Sequence, residues 1–153
     1  MRNEERSQIQ SVAELLKLRD IQLFTARFER PTKAFGTEDG RVRQENMRNV
    51  GYVLGEGEIE GTTHQILQII VSLGTRAVAD TDDEDPSVYV LVEADFLVEY
   101  EVTGSPDKDA LAAFANYNAV HNVWPFWRHH VFDTVHRARL PHLEVPLFSG
   151  TKS

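Results

Sequence analysis

The chain has 153 residues, 41% of them hydrophobic and 26% charged, with a net charge of −8. That length suits one domain around one core. The acidic balance argues against nucleic-acid binding through phosphates, which needs a concentrated excess of Lys and Arg, and against anionic lipid surfaces. With no cysteine, disulfides and thiolate metal sites are excluded as well. "MRNEERSQIQ" has none of the apolar centre of a signal peptide, and no window nears the roughly 18 uninterrupted apolar residues of a membrane span. A cytoplasmic protein without membrane insertion is expected.

In chain order, "SQIQSVAELLKLRDI" sets Ile9, Val12, Leu15 and Leu16 at helical spacing, with Ser7 as candidate cap. From Asp20 the period changes to two. In "DIQLFTARFER", Phe24, Ala26 and Phe28 fall on one side and Ile21 and Leu23 on the other, which predicts a strand ending at Pro31. "PTKAFGTEDGRVRQEN" is a polar connection with one isolated aromatic, Phe35. It is longer than a hairpin needs, so it is expected to cross over something. "NVGYVLGEGEIEG" alternates Val50, Tyr52 and Leu54, but its four glycines point to bulging or an edge position.

"HQILQIIVSLGTRAVA" places Leu67, Ile69, Val71 and Leu73 on one face, and "DTDDEDP" then breaks the chain. "SVYVLVEADFLVEYEV" alternates without a fault from Val88 to Val102, with Glu93, Asp95, Glu99 and Glu101 on the face opposite its apolar residues. This predicts a long antiparallel strand with one face on a core. "TGSPDKDALAAFANYNAV" opens a helix, with Ser105 as cap and Pro106 in its first turn. Pro125 predicts a break near Asn122 and a second helix from about Trp124 to Arg139. The order of helix, four strands, broken helix and extended tail predicts an α+β fold, an antiparallel sheet with helices on one face. One domain, 1–153, is expected: a helical segment over 1–19, the sheet over 20–102, helices over 105–139 and a tail over 140–153.

Little catalytic chemistry is legible. His129, Asp133 and His136 share a helix face loosely, but the outer two stand about 10 Å apart along the axis, too far for one zinc ion. "DTDDEDPSVYVL" has Asp85 and Leu91 where a calcium loop needs Gly and Glu. The glutamates of "GEGEIEG" would repel an anion. No nucleophile elbow is present. Neither an enzyme nor a cofactor is expected.

The unusual segment is "HNVWPFWRHHVFDTVHRARLPHLEVPLF", residues 121–148, with two Trp, three Phe, five His and three Pro. Trp124, Trp127, Val131, Val135 and Ala138 recur at helical steps, Val123, Phe126 and His130 form an adjoining row, and Phe132 points elsewhere. That apolar arc is wider than the roughly 100° stripe one sheet face covers. Part of it must fill the chain's own core. The surplus points to self-association or to a groove for another apolar chain.

The same segment resembles the signature end of the SecB-like protein-export chaperones: Asn122, an aromatic, Pro125, Arg128, then Leu140, Pro141, Leu143 and Pro146. "RDIQLF" (from Arg19) and "VSLG" (from Val71) are similar to that family's first and third strands. The resemblance implies an ATP-independent holdase that binds unfolded polypeptides in apolar grooves. It also implies a homotetramer, a dimer of dimers with the main helices at the interface. By position it places Phe35, Tyr52, Leu54 and Phe148 along the client groove, with Trp124 and Trp127 as groove floor or interface. Val131 and Val135 would share that interface, and Asp20 and Leu73 would stand where export chaperones meet the translocase motor SecA.

Several features depart from the export pattern. Phe24 and Thr75 stand where acidic residues are expected, and residues 80–85 make a longer hairpin insert. The sequence also runs only a few residues past Phe148, where export chaperones carry another helix. These traits are similar to the SecB-like branch that serves toxin–antitoxin systems, or to an orphan or phage member of the family. Two chaperone readings therefore stand, one for preproteins in export and one for a dedicated client such as an antitoxin. A small-ligand or enzymatic α+β domain is the third.

Overall fold

A computed structural model describes residues 2–31, 41–140 and 143–146. Four antiparallel strands, β1 (Leu16–Glu29), β2 (Val42–Ile59), β3 (Thr62–Ala79) and β4 (Val88–Val102), form one sheet in the order β1-β4-β3-β2. The two strands with the longest apolar alternation lie in the middle, where one face is buried from Leu67 to Ala79 and from Val90 to Val102. The two less regular strands lie at the edges. β1 and β2 stand on opposite edges, in keeping with the long connection expected between them; residues 32–40, including Phe35, lie outside the described residues.

The expected helical segment over 1–19 is shorter. Helix α1 (Asn3–Ala13) ends early, and Leu16 to Asp20 already belong to β1. Pairing of Leu16 with Val102 and Leu18 with Tyr100 gives those residues a ladder that an isolated helical turn cannot match. Strand β2 likewise starts seven residues before Asn49, because Val42 to Arg48 pair in register with Leu73 to Ala79.

Two bulges correct the expected faces of β1. The register jumps between Leu18 and Asp20 and again between Leu23 and Thr25, leaving Arg19 and Phe24 unpaired. Each extra residue resets the pleat. Ile21 and Leu23 therefore face the same side as Ala26 and Phe28, opposite Val98, Phe96, Ala94 and Val92 of β4.

Helix α2 (Lys108–Phe114) is capped by Asp107, whose carboxylate accepts from the amides of Asp109 (3.1 Å) and Ala110 (3.2 Å), and not by Ser105. No break follows at Asn122. A π-helical turn, Ala115–Ala119, leads into α3 (Val120–Arg137), and Pro125 sits inside that helix. The proline deletes one intrahelical hydrogen bond, while Val120, Val123, Trp127, Val131 and Val135 press one continuous face of α3 onto the core and keep the helix whole. The helix ends in a Schellman turn. Arg139 takes a left-handed conformation (φ 58°), its amide donates to the His136 carbonyl, and the Leu140 amide donates to that of Val135. This reverses the chain, so that residues 143–146 run back along α3.

Candidate polypeptide-binding face

The inner face of the sheet is wider than its cover. A helix is about 10–12 Å across with its side chains, and strands lie about 4.8 Å apart, so α3 roofs about two strands. Those are β3 and β4, where Leu67, Ile69, Val71, Val92, Val98 and Tyr100 are buried. The inner faces of β1 and β2 extend beyond the helix on either side.

On the β1 side the result is an open apolar cleft of about 490 Å³, lined by Ile21, Leu23 and Phe96 from below and by Phe126, His129 and His130 from α3. Leu23 and Phe126 are each 51% exposed, too much for a finished core. Phe24, extruded by the bulge, is exposed as well. Burial pushes the His130 imidazole below its ordinary value, with Asp133 opposing that shift and His129 adding to it.

On the β2 side, Tyr52 and Leu54 pair with Ile69 and Leu67, so they share the inner face with α3; they are 41% and 44% exposed. Nearer the other end of β2, residues 143–146 lie between the strand and the helix. Gln44 grips Glu144 at two points: its side-chain oxygen accepts from the Glu144 amide (3.1 Å) and its nitrogen donates to the Glu144 carbonyl (2.8 Å). Arg128 donates to the Val145 carbonyl (2.9 Å) and the Trp124 indole to that of Pro146 (2.6 Å). Leu143 is buried beneath. The Gln44 amide is held in place by a bond to Thr75 (2.7 Å), whose hydroxyl donates to Asn46 (2.8 Å).

The sequence-derived site residues divide accordingly. Tyr52 and Leu54 stand together on an exposed inner edge, whereas Phe35 and Phe148 lie outside the described residues. Trp124 is half-buried against the tail. Trp127, Val131 and Val135 are 3%, 1% and 6% exposed, sealed between helix and sheet of one chain, and so are corrected from subunit interface and client floor to core. Leu73 is corrected too. At 1% exposure it faces the core and offers nothing to a docking partner, while Asp20 is exposed on β1.

Several residues of the C-terminal motif have structural tasks. Asn122 donates to the buried Tyr100 hydroxyl (2.8 Å), Arg128 and the Pro146 carbonyl take part in seating the tail, and Leu143 anchors it. Burial raises the Tyr100 pKa, against the opposing Asn122 bond. The sequence reading missed Gln44, which carried no local signal, and Phe28, which only the bulge turns inward beside Leu23. Among the described residues no group of three or more His, Asp or Glu is placed to hold a metal ion, and no helix is long and apolar enough to cross a membrane.

No protein-family model matches the chain, and no curated protein sequence matches it. In structure it is similar to the Mycobacterium tuberculosis SecB-like chaperone Rv1957, solved in complex with a ChAD peptide from the HigA1 antitoxin. The TM-score is 0.64 at 17% identity, over 97% of this chain and 100% of that one. The expected α+β architecture is thereby met, and the chain has a SecB-like fold.

Proposed function

We propose that the chain is an ATP-independent holdase that keeps unfolded polypeptides from aggregating, working in the cytoplasm as a homotetramer built from two dimers. The observation that carries this reading is the uncovered inner face of the sheet. Apolar side chains stand bare on both flanks of α3, more than an isolated soluble chain of this size ordinarily leaves exposed. The β2 flank takes client, because it already seats a length of extended chain at one end and leaves Tyr52 and Leu54 exposed towards the other. The β1 flank takes a second copy. β1 is an edge strand with apolar side chains exposed along most of its length, a surface that invites strand pairing. Exposed Phe126 extends that surface onto α3 and replaces Trp127 as the subunit-facing aromatic.

A dedicated client such as an antitoxin is the second reading, favoured by the antitoxin peptide bound to the structural neighbour. Docking to SecA has less support, since Leu73 is buried. The test is light scattering of a chemically denatured client diluted into buffer, with native mass spectrometry of the same preparation. Suppression at one tetramer per client, by a particle of four chains, is expected. Unchanged scattering at that ratio would overturn the holdase reading.

A further inference from the structure

The bonds that hold residues 143–146 go to main-chain atoms: the Glu144 amide and the carbonyls of Glu144, Val145 and Pro146. Every non-proline residue offers those groups, so the contact reads backbone and not sequence. The two-point grip of Gln44 on Glu144 reproduces with a side-chain amide the paired bonds that a neighbouring strand would make. Side-chain selection rests on Leu143, which is buried, and on Val145, which is half-buried; Glu144 and Pro146 are exposed. Proline at 146 fixes one backbone angle in advance and lowers the entropy lost on docking. The segment also underfills its surroundings. A groove of about 540 Å³ remains between it and α3, walled by Pro125, Val131 and Phe132, with room for side chains larger than valine.

We propose that Gln44, Trp124 and Arg128 form a clamp for extended polypeptide, preferring an aliphatic residue three places before a proline, and that residues 143–146 are its resident ligand. A client segment of that kind displaces the tail, takes over its backbone bonds and fills the adjoining groove. This rests on the holdase reading and names the client chemistry for its β2 flank. Self-occupancy weakens apparent client affinity by the fraction of time the clamp is free.

The test uses the full chain and a fluorescein-labelled peptide with the sequence of residues 141–148, PHLEVPLF, read by anisotropy. Leu143→Asp ejects the tail and leaves the three clamp side chains in place. The peptide is expected to bind this variant about tenfold or more tighter than the wild type. Adding Gln44→Leu should abolish the gain, and a peptide with Asp for its first Leu should bind neither. Equal affinity for wild type and variant, or a gain indifferent to Gln44, overturns the clamp. If Leu143→Asp proves unfolded by circular dichroism, Glu144→Pro replaces it, removing the amide that Gln44 holds at an exposed position. Light scattering on the same proteins separates the two claims. Client protection with no change in peptide affinity sinks the clamp alone, whereas tighter peptide binding without client protection by any of them sinks the holdase reading alone.

Discussion

The two flanks of α3 begin from the same geometry and end differently. On both, one helix is too narrow for a four-stranded face, and apolar side chains of an edge strand are left over. On the β2 flank the chain folds back after the Schellman turn and covers part of the excess with its own residues 143–146, through hydrogen bonds to main-chain atoms. On the β1 flank no described segment crosses the cleft, and Leu23, Phe28 and Phe126 stay bare. The polar clamp suits an exchangeable extended segment, since water competes readily for such bonds and their net worth is only about 1 kcal/mol each. The bare apolar edge suits a permanent neighbour, because it gains mainly by area.

The largest expected effect separates two adjacent residues of α3. Trp127→Asp puts an unpaired charge under the helix and should cost about 4 kcal/mol or more, unfolding the chain by urea titration and circular dichroism. Phe126→Asp, one position earlier and facing the β1 cleft, should leave the circular dichroism spectrum intact and lower the mass in sedimentation. If Trp127→Asp instead gave a folded species of lower mass, the division between core and interface would be wrong.

Next in size is Asn122→Ala, which takes the donor from the buried Tyr100 hydroxyl; about 1–3 kcal/mol of stability should be lost in urea. On the β2 flank, Gln44→Leu should cost about 1–2 kcal/mol, having removed the grip on Glu144 and the bond to buried Thr75. Leu23→Ser on the β1 flank should change monomer stability by less than about 0.5 kcal/mol, since that side chain is already half in water.

The smallest effect is that of pH on the β1 flank. The folded chain holds the His130 pKa below the ordinary 6.5, so folded and unfolded states bind protons equally well above that value and stability is complete there. As pH falls through 6.5 the unfolded state takes the proton first, and stability declines towards the lower folded pKa. His130→Gln should flatten that stretch of the stability–pH curve, measured by urea midpoints between pH 7.5 and 5.

The two central strands were legible from the sequence because a covered face imposes alternation, as from Val90 to Val102, although a bulge at Tyr89 takes Val88 off the face expected for it. The edges were not. Strict alternation set Phe24 beside Phe28, and only pairing with β4 reveals the bulge that extrudes Phe24 and turns Leu23 and Phe28 to one side. Pro125 predicts a break because propensity is local, whereas Val123, Trp127 and Val131 hold the helix through tertiary contact. The resemblance marked residues that matter, but their tasks came from geometry: Trp127 fills the core and Arg128 holds the tail. Gln44 could not be found in advance, since its partner lies 100 positions away.

The central claim is that unfolded chain lies on the inner face along β2. Neighbouring residues test it, because Leu54 faces inward opposite Leu67, whereas Val53, opposite Gln68, is on the outer face and more exposed, 62% against 44%. A photo-crosslinking benzophenone is placed at one position or the other, and a denatured radiolabelled client is added before irradiation. The account predicts client adducts from position 54 and background alone from position 53; adducts at 53 in equal or greater yield would contradict it.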